Sequence, residues 1–130
     1  MPKFATHRIE IIVSREPVDQ LFVDGVGQLD SFRESLKGTT YESELVGLLN
    51  FVQHFSNGGS PGKKVKYLKG KGGATEYEYI SKHLRLYAIQ QPDKKIILFG
   101  GVKHHPKSKE LINAFRLIKD QYLEFIKSKK

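Results

Sequence analysis

The chain has 130 residues, 38% hydrophobic and 28% charged, with a formal net charge of +8 and no cysteine. That length and balance predict one soluble domain spanning residues 1–130 with a core of its own, not a disordered chain. They exclude disulfides, thiol chemistry and Cys-based zinc sites. No apolar run nears the ~18 residues of a membrane span, and "MPKFATHRIE" lacks a signal-peptide core, so a cytoplasmic protein is expected.

In chain order, "HRIEIIVS" (7–14) alternates Ile9, Ile11 and Val13 against Arg8 and Glu10, which predicts a strand with one buried face. The stretch 15–28 is ambiguous, with Asp24-Gly25 marking a turn suited to a small hairpin. "LDSFRESLKG" (29–38) suits a short helix stopped by Gly38. Thr39 and Glu42 have capping-box spacing and open a helix with Tyr41, Leu45, Leu48, Val52 and Phe55 on one stripe. Asn57-Gly58-Gly59 ends it.

"GGSPGKKVKYLKGKGG" (58–73) reads as a Gly- and Lys-rich crossing segment. Three strands follow, "ATEYEYI" (74–80), "LRLYAIQ" (84–90) and "KIILFGGV" (95–102). The turns between them are short enough to force an antiparallel meander. Residues 107–128 put Leu111, Phe115, Ile118, Tyr122, Phe125 and Ile126 at helical spacing. The expected order is β-α-α-β-β-β-α, an α+β domain with helices against one antiparallel sheet.

Charge divides the chain. Residues 1–57 carry five Lys/Arg against eight Asp/Glu, and residues 58–130 carry seventeen against six. One half scaffolds, and the other presents a positive surface suited to a polyanion. Lys63, Lys64, Lys66, Lys69 and Lys71 are interleaved with Gly and Tyr67, letting backbone approach a phosphodiester chain. The bland reading of the same run is a solvated lysine face. "GSPGKK" is not a phosphate-binding P-loop, because no Ser or Thr follows the Lys and a helix precedes it.

Alternation places Arg85 and Tyr87 on one face of their strand and Leu84, Leu86 and Ala88 on the other. The aliphatic face is the core candidate, so Arg85 and Tyr87 are expected toward a cleft. Lys103-His104-His105 ends the next strand, and Lys107 follows. Adjacent histidines point to opposite sides and no carboxylate completes a ligand set, so no metal site is expected. One imidazole suits a general acid or base. Cleavage of RNA by its own 2′-OH needs a proton acceptor, a proton donor for the leaving 5′-oxygen, and cations around the phosphorane-like transition state. It needs no cofactor.

Leu68-Lys69-Gly70, Glu76, Leu84-Arg85-Leu86-Tyr87, Lys103-His104-His105 and Ala114 occur in one order and spacing over residues 40–126. Taken together they resemble the RelE/HigB family of type II toxins, particularly its phage-derived branch. The resemblance implies a small basic endoribonuclease that cuts mRNA, often on the ribosome, and is silenced by a cognate antitoxin. It implies catalytic roles for Arg85 and for His104 or His105; the residues themselves add Tyr87 as a catalytic candidate and Lys64, Lys66, Lys69, Lys71, Lys103 and Lys107 as RNA-phosphate ligands. The chain departs from the family in having Glu76 and Glu78 where basic residues are common, and Leu111 where some members place a Tyr. Two other readings fit the residues. The tail order α-β-β-β-α also describes a double-stranded RNA-binding domain. An inactive or gyrase-directed toxin relative would share the scaffold without the reaction.

Overall fold

A computed structural model describes residues 2–69, 74–103 and 109–129. Seven strands and three helices follow one another as β1 (Phe4–Arg8), β2 (Val18–Val23), β3 (Val26–Gly27), α1 (Gln28–Ser35), α2 (Tyr41–Ser56), β4 (Val65–Leu68), β5 (Glu76–Ile80), β6 (Leu84–Gln90), β7 (Lys95–Val102) and α3 (Lys109–Ser128). The α+β class holds. One mixed sheet runs β1-β2-β7-β6-β5-β4, with β3 paired to β2. Its β2–β7 pairing is parallel and the others are antiparallel.

The helices cover both faces of the sheet. Leu84, Leu86, Ala88 and Ile97 pack with Leu29, Leu45, Leu48 and Val52 of α1 and α2. Tyr87, Ile89, Ile96 and Leu98 pack with Phe115 and Tyr122 of α3. Covering on both faces explains the unbroken apolar run Ile96-Ile97-Leu98, since a central strand next to a parallel neighbour has no wet side. No helix among the described residues is long and apolar enough to cross a membrane.

Several expectations are corrected. The strand expected at 7–14 is absent; β1 ends at Arg8 and a turn follows, with Ile9 and Ile12 buried and Ile11 and Val13 exposed. Side chains of α2 and of the residue after it satisfy that segment instead of a sheet neighbour: Gln53 Oε1 accepts from Val13 N–H at 2.8 Å and Asn57 Oδ1 from Arg15 N–H at 2.8 Å. The strand that joins the N-terminal region to β7 is β2, from the ambiguous stretch, and Asp24-Gly25 closes its hairpin to β3. Both turn residues have positive φ, 50° and 83°, as a two-residue hairpin of this hand requires.

The expected capping box does not form. The Thr39 hydroxyl donates to Leu36 O at 2.6 Å and accepts from Tyr41 N–H at 3.2 Å, closing the α1–α2 turn. The meander has four strands rather than three, because Val65–Leu68 of the crossing segment pairs antiparallel with β5. The order β-α-α-β-β-β-α is therefore embedded in a longer one, and the tail reads α-β-β-β-β-α.

Candidate functional site

Alternation along the meander decides which side chains meet. Glu76, Glu78 and Ile80 of β5 share a face, and Lys66 pairs in register with Glu78, which in turn lies opposite Tyr87. Arg85 lies between Ile80 on one side and Gly101 on the other. The bare Gly101 leaves room for Leu111, since a Cβ there would fall 2.5 Å from Leu111 Cδ2. The start of α3 can thus approach the sheet closely beside Arg85.

Between this face and α3 opens a cavity of about 500 Å³, lined by Lys66, Glu78, Arg85, Lys103, Lys109 and Arg116 together with Leu68, Ile80, Ile112 and Asn113. Five cations come from β4, β6, the residue after β7, and α3. Glu78 is the one acid among the lining residues. A partly enclosed space with such a charge excess attracts an anion, and fixed cations act most strongly where water is partly excluded.

Each member has an anchor. The Arg85 guanidinium is buried at its base, where Nη1 donates to Ser81 O and, at 2.8 Å, to Leu84 O. Lys103 N–H donates to His83 O at 2.7 Å, which ties the end of β7 to the same β5–β6 turn. That turn is clamped from the opposite face of the sheet by Glu44 of α2. Its Oε2 accepts from the Ser81 hydroxyl, from His83 N–H at 2.7 Å and from Leu84 N–H at 3.0 Å, while Oε1 meets His83 Nδ1 at 2.8 Å. Burial alone would raise the Glu44 pKa, but the bonds from Ser81 and His83 outweigh it and bring the carboxyl down to about 2.

Glu76 and Glu78 have separate roles. Glu76 is fully buried and held by Lys119 Nζ at 2.9 Å and Arg116 Nη2 at 3.0 Å. Burial pushes its pKa up, and the bonds from Arg116 and Lys119 more than reverse that. Its charge is spent inside the fold. Glu78 faces the cavity, and its Oε2 accepts from the Tyr87 hydroxyl at 2.7 Å.

Of the residues expected at the site, Arg85, Lys66 and Lys103 line the cavity. Tyr87 lies on the same face but under α3, fully buried and stacked on Phe115 with ring centroids 5.2 Å apart, so it reaches the cavity through Glu78. Lys64 lines a different pocket, on the α2 face. Lys69 is exposed, and its carbonyl accepts from Arg116 at 3.1 Å. Lys71, His104, His105 and Lys107 lie outside the described residues. Lys109, Asn113 and Arg116 were not anticipated; their signal was an Asn and two cations at i, i+4 and i+7 on the first two turns of α3. Among the described residues no group of three or more His, Asp or Glu could hold a metal ion. In comparisons with known proteins, no family model, no curated protein and no solved structure matches this chain.

Proposed function

We propose that the chain is an endoribonuclease that cleaves mRNA without a metal, the toxin half of a toxin–antitoxin pair. The observation that carries the reading is the convergence of five cations on one open cavity with a single lining carboxylate. Resemblance of the segment 40–126 to RelE/HigB toxins points the same way. Arg85, Lys66 and Lys103 hold the scissile phosphate. Glu78 accepts the proton of the attacking 2′-OH, as the 2′-oxygen bonds to phosphorus and the bond to the 5′-oxygen breaks. Lys103 leads directly into His104-His105, one of which gives the 5′-oxygen its proton. The products are a 2′,3′-cyclic phosphate and a free 5′-hydroxyl. Tyr87 holds the Glu78 carboxylate in place.

A binding-only reading has one observation in its favour: Tyr87 is fully buried, so it makes no direct contact with RNA in this arrangement. The experiment that separates the two is incubation of the purified protein with RNA, alone and with translating ribosomes, followed by end-group analysis. Cyclic phosphate ends in wild type, lost in Arg85→Ala and in Glu78→Gln, support the nuclease. RNA retention with intact strands in every mixture supports the binding protein.

A further inference from the structure

We propose that the RNA path continues beyond the cavity, over the β4–β5 end of the sheet, into a second pocket that receives a flanking nucleotide. This rests on the RNA reading of the cavity. The pocket, about 270 Å³, lies on the α2 face and is lined by Glu44, Phe51, Lys64, Ile80, Ser81 and Lys82, among others. Ile80, the last residue of β5, lines both the pocket and the cavity, so the two spaces meet at this residue. β4 is the terminal strand of the sheet, and a strand of RNA can pass around that margin.

The cations mark the route. Lys66 lines the cavity and Lys64, two residues earlier, lines the pocket, so the lead into β4 places ammonium groups on both sides of the margin. Lys82 adds a third charge at the tip of the β5–β6 turn. The Lys64 ammonium lies 5.4 Å from the centroid of the half-buried Phe51 ring. Aromatic faces with adjoining cations are how proteins hold unpaired bases, the ring stacking on the base and the cation taking its phosphate.

Glu44 fixes the shape of the pocket wall, its carboxylate taken up by Ser81, His83 and Leu84 of the turn.

Affinities of 2′-O-methyl RNA, which cannot be cleaved, test this by fluorescence anisotropy with dinucleotides and hexanucleotides. Lys64→Ala combined with Lys82→Ala is expected to weaken hexamer binding about tenfold and dinucleotide binding less than twofold. Phe51→Leu, with folding checked by melting, is expected to weaken hexamer binding about fivefold and to leave dinucleotide binding within twofold. Equal losses at both lengths, or an unchanged hexamer affinity, would overturn the second pocket. If wild type still cleaves RNA in that case, the reading of the cavity survives; if wild type neither binds nor cleaves any RNA, both fall.

Discussion

Glu78 and Arg85 sit on adjacent strands, one a departure from the basic residues of the RelE/HigB pattern and the other a match to it. With Glu76 paired inside the fold to Arg116 and Lys119, Glu78 is the carboxylate left facing the cavity, beside Lys66, Arg85, Lys103 and Lys109. Arg85→Ala is expected to cost roughly 2–4 kcal/mol of transition-state stabilisation, seen as a fall in kcat with little change in KM. Glu78→Gln, which keeps shape and loses basicity, is expected to lower kcat about a hundredfold or more. Glu44 gives a prediction in pH. Its folded pKa of about 2 lies below its ordinary 4.5, so the clamp contributes fully above pH 4.5 and is lost as pH falls through about 2. Between those limits wild type should lose about 2 kcal/mol more stability than Glu44→Gln, allowing for the partly open flank, in urea melts at pH 5.5 and 2.5. Neither acid's role was legible in the sequence, because a Glu in a strand or helix looks alike whether it meets water, Ser81 and His83, or Tyr87.

Among the elements, β6 and β7 were legible to the residue, since two apolar runs of strand length flank the turn at Pro92-Asp93 and leave few other arrangements. β2 was not. Its buried Asp19 and Gln20 break the apolar pattern, and both are buried because of partners distant in the chain. Asp19 binds Arg8 at 3.0 Å and Lys94 at 2.9 Å, and Gln20 accepts from Asp30 N–H at 3.0 Å. In α3 the apolar stripe was evident, but nothing in it marked Lys119 as buried, and it is 1% exposed. Only the carboxylate beneath it explains that burial. Lys119→Met is expected to destabilise the fold by about 3–5 kcal/mol, because Glu76 is left buried with Arg116 alone. Adding Glu76→Leu should recover most of the loss, which equilibrium denaturation of the single and double variants measures.

For the whole molecule, the sequence rightly placed the positive surface in the second half, yet not on one continuous lysine patch. The cavity draws on β4, β6, the end of β7 and α3, which only the closed sheet brings together. RNA affinity should therefore fall steeply with salt. Lys66→Ala is expected to reduce the log–log slope by about 0.7, the value for one phosphate contact on a single strand, whereas Lys37→Ala, paired with Glu34 beyond the cavity, should leave it unchanged. Filter binding between low and moderate salt distinguishes them.

The parallel contact of β2 with β7 joins Val18 to Lys95, Asp19 to Ile96 and Gln20 to Ile97. A loop of more than seventy residues must close before that ladder exists, and its entropy is lost before any pairing rewards it. The nascent chain therefore holds its β1–β2 hairpin without a sheet to join until β7 has left the ribosome. Refolding should be slow for a domain of this size, and a chain stopped after residue 90 should show no cooperative unfolding transition. A chain assembled in this order acquires its cationic cavity only in the last steps of folding, so the proposed activity arrives all at once.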